Sequence, residues 1–129
     1  MIKQVINVDN KWKVIVYYNI DYNLFHYVAS ELRSVGMTKK GIRNIAYLSF
    51  TGEVKAFTVS NVKRQTSIVG FNYHATMKDY INSIVHEAEH VKQHMLNAYL
   101  VADKDEPPAY TMGFLASKML MFFLKMLEK

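Results

Sequence analysis

Val85-His86-Glu87-Ala88-Glu89-His90-Val91 is the stretch on which the reading of this chain turns. It has the form His-Glu-x-x-His. On an α-helix, four residues make one turn plus about 40°, so His86 and His90 project from one face and can grip a single cation. Glu87 sits about 100° round from His86, close enough to that face to reach a water held there. Two imidazoles and one carboxylate at this spacing are a donor set for Zn²⁺ with a general base beside it.

The residues around the motif predict the helix. Thr76 followed by Asp79 forms a capping-box-like start. Ile81, Ile84, Val85, Ala88, Val91 and Met95 recur at helical spacing as a buried stripe. Ser83, His86, Glu87, His90, His94 and Asn97 fall on a different face, so the chemistry is expected to point away from the main apolar stripe.

A catalytic zinc takes three protein ligands and keeps one position open. Glu106, in Asp105-Glu106-Pro107-Pro108-Ala109-Tyr110, is the first choice for the third ligand, with fifteen residues between it and His90. A helix running to Leu100 climbs about 15 Å past His90, and the six steps to Glu106 can recover about 20 Å when extended. Pro107-Pro108 suit the first turn of a following helix, which places Glu106 at its start. The alternative is that it serves there only as an N-terminal acid favoured by the helix dipole. His94 is the rival ligand, but it lies about 12 Å along the axis from His86. It is expected to face substrate or solvent, or to support the ligands. Asp103 and Asp105 are weaker alternatives. Asn82, Ser83 and Asn97 could hydrogen-bond to the ligands.

His86-Glu87-x-x-His90 followed by Glu106-x-x-Ala109-Tyr110 resembles the zincin superfamily, in its gluzincin-like branch. Together with Asn82-Ser83-Ile84-Val85 and Thr111-Met112-Gly113, it is similar to small zincin-like proteins of bacteria, phages and mobile elements. The likeness is carried by about the last third of the chain. It implies a zinc-dependent metallopeptidase in which His86, His90 and Glu106 bind Zn²⁺ and Glu87 is the base. Tyr110, one turn after Glu106, could donate to the developing oxyanion, or pack and orient a ligand.

Composition bounds the rest. With 129 residues, half of them hydrophobic, a single domain spanning 1–129 is expected. No Cys is present, which removes disulfides and thiolate ligands and suits the cytoplasm. The amino-terminal residues do not read as a signal peptide. Met112 to Leu127 is too short and too interrupted to span a bilayer comfortably, and reads as a buried helix. Gly113 is expected to allow close approach there, and part of the apolar surface could join two copies. The net charge of +5 suits an acidic partner. Lys39, Lys40, Arg43, Lys63 and Arg64 read mainly as a solvated face, however, and no nucleic-acid-binding motif is present.

The predicted fold is α+β: a small antiparallel sheet of about four strands packed with about four helices. Ile2–Val8 and Trp12–Tyr18 are expected to pair through an Asp9-Asn10 turn. A helix capped by Asp21 or Asn23 runs to a Gly36 stop. Thr38 to Ser49 fits a helix moderately well. Glu53–Ser60 and Gln65–Phe71 form a second hairpin that leads into the motif helix. One strand of that hairpin could hold an extended peptide substrate by backbone pairing, or both could be purely structural. Two other readings stay open: a catalytically silent zincin-like structural or interaction protein, and a basic nucleic-acid binder.

Overall fold

The computed structural model describes residues 1–101 and 111–128. Its elements run β1 (Ile2–Val8), β2 (Trp12–Tyr18), a 3₁₀ turn (Tyr22–Leu24), α1 (Phe25–Ser34), α2 (Lys39–Phe50), β3 (Ala56–Asn61), β4 (Thr66–Phe71), α3 (Met77–Val101) and α4 (Thr111–Leu127). The α+β class is as expected, as is the count of four strands and four helices among the described residues.

Local chemistry explains most of the boundaries. Asp9 and Asn10 turn the first hairpin at φ 53° and 57°, a region that short polar side chains tolerate. Asp21 caps the 3₁₀ turn by accepting from the Asn23 N–H at 2.9 Å, and α1 follows directly. Gly36, at φ +92°, ends the segment after α1. Thr38 caps α2 through the Gly41 N–H at 3.1 Å, which resolves the ambiguous stretch as a helix. Thr76 caps α3 through the Asp79 N–H at 3.1 Å.

The strand order is β1-β2-β4-β3. Both hairpins are antiparallel, but β2 and β4 pair in parallel, with Val14 opposite Ser67 and Val16 opposite Val69. The sheet is therefore mixed rather than antiparallel throughout. The reason is the connection: α1 and α2 carry the chain over one face of the sheet, β3 takes the outer place, and β4 returns between β3 and β2. This leaves β3 as an edge strand lying against α3. It starts at Ala56 rather than Glu53.

Alternation along β2 divides the core in two. Val14, Val16 and Tyr18 join Val69, Phe71 and the inner stripe of α3 and α4. Ile15 and Tyr17 join Ile68 and the apolar faces of α1 and α2. On α3 the buried stripe is Ile84, Ala88, Val91, Met95 and Ala98, while Val85 is 41% exposed and does not belong to it. Val85 sits a full 100° step beyond Ile84, past the edge of the stripe. On α4, Leu115, Met119 and Phe123 are buried, whereas Met121, Leu124 and Leu127 are exposed. The helix is thus buried along one stripe only, and among the described residues nothing lies within 4 Å of where a Gly113 Cβ would be. No helix among the described residues is long and apolar enough to cross a membrane.

Gly70 shows how tightly the two hairpin strands meet. A Cβ there would collide with the ring of Phe57, its neighbour on β3, and would lie 2.8 Å from Ile20 Cδ1. Gly70→Ala should destabilise the fold by about 1–3 kcal/mol through overpacking. A denaturant midpoint equal to that of the wild type would contradict this.

Candidate metal centre

The site is built where α3 crosses the edge strand. His86 and His90 are both exposed and lie one turn apart on α3. Their rings meet edge to face with centroids 4.5 Å apart, and their Nε2 atoms are 3.0 Å apart. Two nitrogens sharing one tetrahedral ion, at bond lengths of about 2.0–2.1 Å, would stand about 3.3–3.4 Å apart. Only a small outward movement of either ring separates the two arrangements.

Glu87 differs from both. It is 5% exposed, turned between α3 and β3, and accepts a hydrogen bond from Thr58 Oγ1 at 2.8 Å. One ligand atom from each of His86, Glu87 and His90 lies within 4.8 Å of the others, so this group could hold a metal ion. The carboxylate also supplies a reason for a cation. It is desolvated, its partner Thr58 is neutral, and among the described residues it has no ion-pair partner. A buried carboxylate in that position calls for a nearby positive charge, and the two exposed imidazoles offer the nitrogens to hold one. The donor set fits a divalent metal.

Glu89, the other acid of the stretch, faces away. It pairs with Lys92 at 3.1 Å and accepts from Gln93 at 3.0 Å. These hydrogen bonds hold its carboxyl below the usual range.

A cleft of about 480 Å³ opens on the amino-terminal side of the pair. Its lining includes Lys55, Ala56, Asn82, Ser83, His86 and Glu87. Ser83 does not bond a ligating imidazole, as its position in sequence had suggested. Its hydroxyl sits 2.7 Å from Nε2 of His74, a buried residue. His74 Nδ1 lies 2.7 Å from the Asn72 carbonyl oxygen, which can only accept, so Nδ1 carries a proton and donates to it. His74 thereby ties the start of α3 to the end of β4. Asn97 is exposed.

On the carboxyl-terminal side, His94 Nδ1 is 2.6 Å from Ser60 Oγ. Its ring centroid is 6.3 Å from that of His90, further than His86 is, and it is not part of the three-residue group. Burial lowers the His94 pKa, and the neighbouring His90 adds to this.

Glu106 and Tyr110, with the alternatives Asp103 and Asp105, lie outside the described residues. Thr58, Ser60 and His74 were not singled out in the sequence. The usable signal was the alternation of β3, where Thr58 and Ser60 stand among Phe57 and Val59 at alternate positions, with Ser67 opposite Ser60. Polar residues on a strand face turned towards a helix mark a place where that helix carries polar groups inward.

Thr58→Val tests the hold on Glu87. Removing the hydroxyl leaves a buried carboxylate without its donor, at a cost of about 1–3 kcal/mol. Unchanged stability in chemical denaturation would show that Glu87 does not depend on this contact.

No protein-family model, curated protein or solved structure matches the chain.

Proposed function

We propose that this chain is a zinc-dependent metallopeptidase of zincin type that hydrolyses peptide bonds in a peptide or protein substrate. The observation that carries the reading is the close grouping of His86, Glu87 and His90, with the carboxylate buried and both imidazoles open. His86 and His90 would hold Zn²⁺, and Glu106 would complete the set as third ligand. A divalent cation there supplies, when bound, the positive charge that acidifies water and polarises a substrate carbonyl.

The remaining work falls to residues of the chain. Thr58 donates to one oxygen of Glu87 and so fixes the carboxylate beside the cleft. Glu87 accepts a proton from water as the water oxygen bonds to the carbonyl carbon, and delivers it to the amine nitrogen as the C–N bond breaks. Tyr110 would donate a hydrogen bond to the carbonyl oxygen as charge gathers on it. β3 lies at the sheet edge alongside α3, where an extended peptide could pair with its free backbone groups. The absence of cysteine suits a cytoplasmic setting, and the exposed Met121, Leu124 and Leu127 on α4 would suit contact between two copies.

Metal analysis of the purified chain is the direct test. One zinc per chain, lost in both His86→Ala and Glu106→Ala, is the expected result. Zinc retained in Glu106→Ala would remove Glu106 from the ligand set. A wild-type chain that takes up no divalent metal would end the metallopeptidase reading.

A further inference from the structure

His90 belongs to two overlapping pairs at the same spacing: His86 with His90, and His90 with His94. Helix geometry alone treats them alike, because residues four apart share a face in either case. The structure nevertheless brings His90 to His86 and holds His94 back.

The difference is a hydrogen-bond chain that crosses the sheet from β2. Trp12 Nε1 is 2.9 Å from Ser67 Oγ, Ser67 Oγ is 2.6 Å from Ser60 Oγ, and Ser60 Oγ is 2.6 Å from His94 Nδ1. Its direction follows from donor and acceptor capacity. An indole N–H can only donate, so Ser67 accepts from Trp12. Ser67 is fully buried, and Ser60 is the one acceptor its hydroxyl hydrogen meets among the described residues. Ser60 therefore accepts from Ser67, and its own hydrogen is available to His94 Nδ1, 2.6 Å away. When Ser60 donates it there, a neutral His94 carries its proton on Nε2. One ring nitrogen is occupied as an acceptor and the other is protonated, so neither has a free lone pair for a metal.

We propose that the Trp12–Ser67–Ser60 chain sets the register of the cation site: it holds His94 as the Nε2–H tautomer against β3, outside the ligand set, and leaves His90 to pair with His86. This rests on the His86–His90 pair being the cation site. It adds a function for three residues remote from the motif. They keep a competing imidazole from drawing His90 away from His86, and His94 becomes a positioning residue with an N–H donor on its free side.

The test reads ring nitrogens by long-range ¹H–¹⁵N correlation on the full chain. In the metal-free wild type, His94 should show a bare Nδ1 and a protonated Nε2. Ser60→Ala and Trp12→Phe each break one link while leaving every residue of α3 in place, and in both the His94 nitrogens should shift towards an average of the two tautomers. With one equivalent of Zn²⁺, the wild type should show shifts at the His86 and His90 nitrogens and none at those of His94. In Ser60→Ala, the His94 nitrogens should shift as well. A protonated Nδ1 in the wild type, or variants that keep the wild-type tautomer, would overturn the relay. Zinc shifts at His94 in the wild type would overturn its exclusion. Absence of zinc shifts at all three imidazoles would overturn the cation site and the register with it. The tautomer, read without metal, separates that failure from failure of the relay.

Discussion

Glu87→Gln should leave zinc bound and reduce peptide hydrolysis by about a thousandfold, within the range that a positioned general base contributes. The substitution keeps the shape of the side chain and an oxygen that can still accept from Thr58 Oγ1, so the contact between α3 and β3 survives. What it removes is the ability to take a proton. The carboxylate is buried, and among the described residues it has no ion-pair partner. Replacing it with a neutral amide should therefore not unfold the chain, and a thermal midpoint at or above that of the wild type is expected. The measurement pairs zinc content with cleavage of a labelled casein digest. Equal cleavage by the two zinc-loaded proteins would show that Glu87 is not the base.

The second large effect is on the metal itself. His86→Ala should lower zinc affinity by about a hundredfold to several hundredfold. Apparent binding energies of about 10–16 kcal/mol for four-ligand structural sites imply about 2.5–4 kcal/mol per ligand. The imidazole of His86 is exposed and meets the equally exposed His90 at 3.0 Å, so the alanine variant leaves no cavity in the core and no buried polar group unpaired. Folding should be unaffected when metal is absent, and the loss should appear in competition against a zinc chelator. An affinity unchanged by His86→Ala would place the cation elsewhere on the chain.

Much of this architecture could be read along the chain because the signals are local. The Asp9-Asn10 turn, the Gly36 stop, the Thr76 cap and the spacing of His86 and His90 each act within a few residues, over distances set by backbone geometry. They appear in the structure where the sequence places them. The apolar stripe of α3 was legible for the same reason, except at Val85, which lies at the margin of the stripe and faces solvent.

Other features depended on partners far away in sequence. The parallel pairing of β2 with β4 follows from β4 inserting between β2 and β3, which no local pattern encodes. The depth of Glu87 is set by Thr58, twenty-nine residues earlier, on a strand whose register decides which of its side chains meet α3. The role of Ser67 depends on both Trp12 and Ser60 reaching it across the sheet.

The sequence by itself determined that a helix would carry two imidazoles and a carboxylate with the periodicity of a cation grip, since a helix presents residues i and i+4 together wherever it is placed. The tertiary structure decided how those groups differ. It buried Glu87 beneath the edge strand, left His86 and His90 exposed with His86 at the mouth of a cleft, and drew His94 to Ser60. Burial and hydrogen-bond partners come from the packing of α3 on β3, and these, rather than spacing, separate a base from a ligand and a ligand from a bystander.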